Sequence, residues 1–395
     1  MTTNSHTVTS LIDDQWDHFR KLPAAQQPEW PSREQLETAL DALPQGDVVT
    51  AHDSQRLSTE LASLDRTGGL VLQLGDCVED IHTDVYADTR RKLAFIAAAG
   101  DHLERVARRP VLTAGRIAGQ YAKPRSNTHE LIDGLSLPTY RGPIINAPYP
   151  TKEARRPRPE NVVRAHEAVL LAHSALRDHA SETSARRVIW TSHELLLLDY
   201  ELQYLRVGTD GNHLATTHWP WIGARTRQLA GAHIAIAASL RNPVSVKIGP
   251  DTSPDEVVDL SITLNPNDLD GKLTFIARMG STRIDQLADL ARAVRRHGRH
   301  VRWISDPMHG NTVTTAHGLK TRHLEDIIYE VQRFQQILLA ENVRPAGIHL
   351  EATPDDVHEC SENGAEPDDP NRYRSLLDPR LNPSQTLRVL DAWST

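Results

Sequence analysis

The stretch Gly69-Leu70-Val71-Leu72-Gln73-Leu74-Gly75-Asp76-Cys77 is an apolar run that stops on a glycine, an acid and a thiol. Short runs of this kind, bounded by turn residues, read as strands. The next thirty or so residues have a different period. Leu93, Ile96, Ala97, Leu103 and Ala107 recur on one helix face, and Pro110, which has no backbone N–H and cannot sit in a helix interior, stops it. Val111 to Arg116 is then apolar again, so strand, helix and strand succeed one another in order.

The alternation continues along the chain. The apolar or β-branched runs are Leu70 to Leu74, Val111 to Arg116, Val188 to Thr191, Thr217 to Ile222, Val244 to Ile248, Leu273 to Arg278, His300 to Ser305 and Gly347 to Glu351. Pro220 interrupts the fourth. Ile284, Leu287, Ala288, Ala291 and Val294 form another helix face, with Gly298 at a C-cap position, and Leu324, Ile327, Ile328, Val331 and Leu338 form a third. Ser253-Pro254-Asp255-Glu256 reads as a capping box with proline at the first helical position. Repeated βα units imply a parallel sheet, and eight of them predict an α/β fold, a (β/α)8 TIM barrel. Residues 1–65, rich in Gln, Pro and Asp with helical patches such as Arg33 to Leu43, are expected to be an N-terminal helical extension, and 66–395 the catalytic barrel. The loop from Lys123 to Arg158 and the acidic segment Glu362 to Asp369 break the rhythm and are expected on the surface or over the site.

Composition narrows the function. The chain has 395 residues, 39% hydrophobic and 24% charged, which suits a soluble globular protein with a large core. A net charge of -8 argues against binding nucleic acid or an anionic membrane, because affinity for either needs a basic surface. Cys77 and Cys360 cannot build a dense disulfide framework. Met1 to Thr9 lacks the pattern of a secretory signal, and no stretch approaches the roughly 20 apolar residues of a membrane span, so a cytoplasmic location is expected.

In such a barrel the chemistry sits at the C-terminal ends of the strands. Nearly every run ends on a reactive or charged group: Asp76-Cys77, Arg116, His193-Glu194, Arg225 with Arg227, Lys247, Arg278, Asp306-Pro307-Met308-His309 and Glu351. Any one of these could be a surface charge, and a lone cysteine is more often buried packing. Eight in phase are hard to dismiss. Cys77, His309, Glu351 and an acid such as Asp378 could bind a divalent transition metal through thiolate, imidazole and carboxylates. Arg116, Lys123, Arg125, Arg225, Lys247 and Arg278 form a second, cationic set. Ion pairs with the 52 acidic side chains could absorb several of them. A cluster of this sign nevertheless favours substrates carrying phosphate and carboxylate.

At these same residues the sequence resembles a known family. Gly75-Asp76-Cys77, the segment Arg116-Ile117-Ala118-Gly119-Gln120-Tyr121-Ala122-Lys123-Pro124-Arg125-Ser126, Asp306-Pro307-Met308-His309-Gly310-Asn311-Thr312 and Asp378-Pro379-Arg380-Leu381-Asn382 are similar to motifs of the type II 3-deoxy-D-arabino-heptulosonate 7-phosphate (DAHP) synthases. The likeness runs from Ala24-Ala25-Gln26-Gln27-Pro28 through Thr191-Ser192-His193-Glu194, Arg225-Thr226-Arg227-Gln228, Gly231-Ala232-His233 and Lys320-Thr321-Arg322-His323 to the last helix. It implies a cytoplasmic enzyme, expected to be a homodimer, that condenses phosphoenolpyruvate with erythrose 4-phosphate, the first step of the shikimate pathway. It also implies Mn2+ or Co2+, with Zn2+ a further option, on Cys77, His309, Glu351 and Asp378. Phosphoenolpyruvate falls to Arg116, Lys123, Arg225, Lys247 and Arg278, and the aldose phosphate to Arg125 and Ser126 with Asn146. Lys123, Glu194 and His309 become the candidates for proton transfer.

Three departures from the family bear on specificity and control. Ala224 stands where many members carry an acid before the arginine, which keeps open an aminoDAHP synthase-like choice of aldehyde. Leu377 stands where some relatives have a cysteine, which removes a potential disulfide partner for Cys77. The stretch between Asn146 and Val188 is short, as in forms serving secondary metabolism such as phenazine pathways, and predicts weak or absent feedback inhibition by aromatic amino acids. A noncatalytic regulatory paralogue is a further alternative, which relaxed metal or anion sets would signal.

Overall fold

The computed structural model describes residues 16–393 except 133, 183–186, 363, 366, 368 and 370. Eight buried strands form the central sheet: β1 Leu70–Gly75, β2 Val111–Arg116, β3 Ile189–Thr191, β4 Trp221–Ile222, β5 Val244–Ile248, β6 Leu273–Ala277, β7 Arg302–Ser305 and β8 Pro345–Glu351. Their order is β3-β2-β1-β8-β7-β6-β5-β4, with every neighbouring pair parallel. The two ends of that sheet meet. Trp219 N donates to Thr191 O at 3.1 Å, Trp221 N to His193 O at 3.0 Å and Leu195 N to Trp221 O at 2.8 Å, which closes the barrel.

All eight strands lie within the predicted runs or differ from them by a residue or two at an end, except β4, where the run from Thr217 shrinks to two residues because Pro220 cannot donate to a ladder. Inward-facing Val71, Leu112, Ala114, Trp190, Trp221, Ile276 and Ile304 pack together with Leu57 and Leu61 of helix Ala51–Thr67. That helix floors the barrel, and Arg302 fixes it by pairing with Asp65 at 2.6 Å and donating to Leu61 O at 2.6 Å. Residue 65 therefore falls inside a helix whose leucines belong to the barrel core. The outer strand faces meet helices such as Val85–Ala107, whose N-terminus is capped by Asp84 accepting from Ala87 N at 3.0 Å. At Ser253 half of the expected box forms. The hydroxyl accepts from Glu256 N at 3.1 Å, but the Glu256 carboxylate turns to Arg227 Nε at 3.0 Å.

The Lys123–Arg158 stretch is less superficial than its composition suggests. It contains a hairpin, His129–Ile132 with Leu135–Pro138, and a short helix Lys152–Arg155. Tyr140, Ile144 and Ile145 are buried, the two isoleucines against Val162 and Ala165 of helix Glu160–Glu182, because two adjacent isoleucines gain more from apolar cover than the flanking prolines prevent. Met1 to Thr9 and residues 363, 366 and 368 of the acidic segment lie outside the described residues. Among the described residues no helix is long and apolar enough to cross a membrane.

Candidate active site

Register builds the floor of the site. Gly75 lies opposite Arg116 on one side and Glu351 on the other, so the last residues of β1, β2 and β8 are side by side. Arg116 Nη2 donates to Glu351 Oε1 at 2.9 Å, with both side chains almost wholly buried. A Cβ on Gly75 would lie 2.8 Å from Arg116 O, which is why the close approach needs glycine. Below them a polar chain fills the barrel. Gln73 donates to Ser192 Oγ at 2.6 Å and its amide oxygen meets His349, which in turn contacts Arg116. Burial pushes the His349 imidazole well below its usual range, Lys247 and Arg116 adding to it, so this ring is neutral.

Cys77, Glu351 and Asp378 bring their donor atoms within 4.8 Å of one another. The Lys123 ammonium stands at their focus, 2.6 Å from Cys77 Sγ, 3.2 Å from Glu351 Oε1 and in contact with Asp378. His309 Nε2 is 2.9 Å from Glu351 Oε1, and its Nδ1 is held by Asp306 at 2.8 Å. Asp306 thus fixes the ring and leaves Nε2 directed at the cluster, the usual carboxylate support of a metal-bound histidine. Burial works against charge on Glu351, yet His309, Lys123, Arg322 and Arg116 hold its carboxyl well below the usual range. Burial, with Glu351 and Asp378 adding to it, pushes the Cys77 thiol up to about 11, against the pull of Lys123. A divalent cation would reverse that last shift, since it stabilises thiolate directly. One thiol, one oriented imidazole and two carboxylates converging on a positive charge fit a divalent transition metal.

Of the cationic set, Lys123, Arg125, Arg225 and Arg278 line a cleft of about 300 Å³ beside this cluster, whereas Arg116 is held in the barrel floor beneath it. Lys123, Arg125, Ser126, Arg225, Arg278, His309, Lys320 and Asp378 face it. Arg225 contacts Ser126 Oγ, and Arg278 Nη2 donates to His309 O at 2.8 Å. Lys247 lies deeper, 3.0 Å from Asp306 Oδ2 and 3.2 Å from His309 Nδ1, and burial lowers its pKa. Two larger cavities, of about 430 and 600 Å³, lie at the opposite end of the barrel, lined by residues such as Asp65 and Arg302 or Gln55 and Lys272. Neither borders any of the metal-ligating or anion-binding candidates, while cavities of about 350 and 420 Å³ adjoin the site, one beside Cys77 and the other beside Arg125 and Ser126.

The remaining predicted residues fall unevenly. Glu194 approaches the same end, and its Oε1 is buried without a hydrogen-bond partner. Burial raises its pKa against Lys247, Lys123, Arg116 and Arg225. Any Cβ at residue 223 would overlap that oxygen, at 1.9 Å, so Gly223 makes its room. Arg125 is committed to Tyr140 O at 2.7 Å and Glu130 at 3.1 Å. Asn146 does not join the cluster. Its amide accepts from Arg141 N at 2.9 Å and donates to Thr139 O and Arg155 O, both at 3.0 Å, holding the loop together. Sequence reasoning gave no role to Asp306 or to Arg322, whose fully buried guanidinium pairs with Glu351 Oε2 at 2.8 Å. Their nearness in sequence to His309 and to the Lys320–His323 motif was the available signal.

A closed parallel barrel with metal-ligand types and a cationic cleft at its C-terminal mouth has the arrangement of a TIM-barrel enzyme. The model of the class-II DAHP synthetase family matches residues 14–186 and 170–392. A Pseudomonas fluorescens protein named "Probable phospho-2-dehydro-3-deoxyheptonate aldolase" is 39% identical over 97% of both chains. Phospho-2-dehydro-3-deoxyheptonate aldolases of Streptomyces coelicolor, 37% identical over 98% of this chain and 97% of theirs, and of Mycolicibacterium smegmatis, 34% over 93% and 91%, are similar too. A crystal structure of DAHP synthase from Thermotoga maritima aligns with 82% of this chain and 67% of its own at a TM-score of 0.45 and 14% identity. The chain belongs to the class-II DAHP synthetase family, and its activity is that of a 3-deoxy-7-phosphoheptulonate synthase.

Proposed function

We propose that the site condenses phosphoenolpyruvate with erythrose 4-phosphate and water, giving DAHP and phosphate, with a divalent metal on Cys77, His309, Glu351 and Asp378. The observation that carries this reading is the convergence of Cys77, Glu351 and Asp378 within 4.8 Å beside the cationic cleft. Mn2+ or Co2+ suits the mixed donor set best, with Zn2+ the alternative, and would supply Lewis acidity toward the aldehyde oxygen.

The chain's own residues do the rest. Arg116, Lys247, Arg225 and Arg278 hold the carboxylate and phosphate of phosphoenolpyruvate, while Arg125 and Ser126 hold the aldose phosphate. Holding both anions in reacting geometry removes orientational entropy from the barrier. The enol carbon then attacks the aldehyde carbon, water adds at the cationic centre, and phosphate leaves. Lys123, at the boundary between the ligand cluster and the cleft, is placed to move a proton. Glu194, with one oxygen unpartnered, is the candidate for the attacking water, with His309 the other. Asn146 acts on this reading by holding the phosphate-binding loop.

The architecture we propose is an N-terminal helical extension on a catalytic barrel, with the expected boundary at residue 65 moved ahead of helix Ala51–Thr67, working as a homodimer in the cytoplasm. The short segment between Asn146 and Val188 supports a form serving secondary metabolism, of the phenazine type, with weak or absent feedback inhibition. Strong inhibition by micromolar tryptophan, phenylalanine or tyrosine would contradict that. Ala224, which offers only its carbonyl to Arg227 Nη1 at 2.9 Å, favours a second reading in which another phosphorylated aldose is the better partner. The test is to strip the metal, restore Mn2+ or Co2+, and follow phosphoenolpyruvate loss and phosphate release with erythrose 4-phosphate and with alternative aldoses. No metal-dependent turnover with any of them would sink the reading.

A further inference from the structure

One fully buried carboxylate behind the site is spent entirely on the loops after β6 and β7. Glu330 lies on helix Leu324–Ala340. Its Oε1 accepts from Met279 N at 3.1 Å and Gly280 N at 3.0 Å, and its Oε2 accepts from Asn311 Nδ2 at 2.6 Å. The Asn311 amide has one possible orientation, since its Oδ1 accepts from Ser281 N at 2.8 Å and its Nδ2 also donates to Pro307 O at 2.8 Å. Met279 comes directly after Arg278, and Asn311 stands two residues after His309. The loops also touch as bare backbone. A Cβ on Gly310 would lie 2.3 Å from Gly280 N, and Gly280 has a φ of +81°.

Burying a carboxylate with no cationic partner is costly, and an apolar side chain would serve the helix better. Burial pushes the Glu330 carboxyl up to about 8, while Gly280, Asn311 and Met279 as donors pull it down. The hydrogen bonds it accepts all come from the two site loops, which is unusual for a group with a merely local structural duty.

We propose that Glu330 is a positioning residue that clips the anion-binding Arg278 and the metal-ligating His309 into one rigid unit, so that affinity for phosphoenolpyruvate and for the metal are set together. This rests on the roles proposed for Arg278 and His309. In Glu330→Gln the remaining oxygen keeps the two backbone donors, but the new amide N–H faces Asn311 Nδ2, donor against donor, and the clip opens. Asn311→Leu cuts the clip from its other side, since it leaves neither a donor for Glu330 nor an acceptor for Ser281 N.

The experiment measures Mn2+ dissociation from the full-length protein by titration after metal removal, and KM and kcat for phosphoenolpyruvate. Circular dichroism confirms that each variant is folded. Glu330→Gln should weaken Mn2+ binding and raise KM by about tenfold each, the scale on which outer partners of a metal ligand act, with kcat less affected. Asn311→Leu, which leaves Glu330 its two backbone donors, should move the same two constants in the same direction, again by about tenfold. Movement of neither constant, or of only one, in either variant overturns the proposal. Arg278→Ala and His309→Ala run in parallel. If they leave KM and Mn2+ binding untouched, the site reading falls and takes the clip with it; if they respond and Glu330→Gln does not, only the clip falls.

Discussion

Glu79→Gln changes one charge and no heavy-atom count, and the structure gives its cost. Glu79 is 4% exposed and receives three consecutive backbone N–H groups: Ala118 at 3.2 Å on Oε2, and Gly119 at 3.1 Å and Gln120 at 3.0 Å on Oε1. These residues begin the loop that runs from Arg116 to Lys123 and Ser126. Glutamine can keep Oε1 in place, but its Nε2 then confronts Ala118 N and leaves a buried donor unpaired, which costs about 1–3 kcal/mol. The other two bonds lose their charge assistance, adding roughly 1–2 kcal/mol in all. Lys92 is not orphaned, since Asp76 and Asp88 both lie 2.6 Å away. The expected loss is therefore roughly 2–5 kcal/mol in urea unfolding with the m-value unchanged, and more for Glu79→Ala. KM for both phosphorylated substrates should rise in the same variant, because the loop carries Lys123 and Arg125 of the cleft. A Glu79→Gln protein within about 0.5 kcal/mol of the wild type would refute the account, since that is the range of substitutions that touch nothing.

The same geometry sets other outcomes. Cys77→Ser should lower bound metal, measured by elemental analysis, together with the rate, because a neutral hydroxyl is a poor substitute for thiolate; normal metal content with full activity would remove Cys77 from the site. Gly119→Ala forces a Cβ to 2.2 Å from His193 Nδ1 at a φ of +153°, so a loss of about 2–5 kcal/mol is expected, and wild-type stability would contradict it. Buried His166 sits between the hydroxyls of Tyr200 and Tyr204, both at 3.0 Å, and burial lowers its pKa to about 4. The unfolded chain thus binds more protons between roughly pH 4 and 6.5, and stability falls as pH drops through that window, by roughly 2 kcal/mol from this residue between pH 7 and 5. His166→Gln should flatten that part of the pH dependence; an unchanged slope would exclude His166 as its source.

Much of the fold was legible because parallel barrel strands are buried on both faces and so appear as uninterrupted apolar runs. The fourth run was read as a strand too, but Pro220, which cannot donate to a ladder, leaves only two paired residues in β4. Helix Ala51–Thr67 falls in the expected helical extension but was not itself picked out, and nothing in its sequence says that Leu57 and Leu61 face a barrel floor instead of a neighbouring helix. Cys77 and Glu351 were recoverable because they stand at strand ends, whereas Asp378, in the loop before the last helix, was reachable only through the family-like motif Asp378–Asn382. Asp306, Arg322, Glu330 and Glu79 were not assigned roles, since a buried charge has meaning only through the groups that fold against it, and those lie far away in sequence or in unremarkable backbone.

The closure between β3 and β4 has a consequence for how the molecule fails. The barrel is a zipped sheet, and its seam consists of backbone bonds among Thr191, His193, Leu195, Trp219 and Trp221. Glu194 sits in that seam, paired with Trp221 as an isolated bridge. Local opening draws on the least bonded elements first. Heat or mild denaturant should therefore part the sheet at Glu194, the acid proposed to handle the water, before it loosens the proposed metal ligands at the ends of β1 and β8, and inactivation should precede loss of the metal and of the fold.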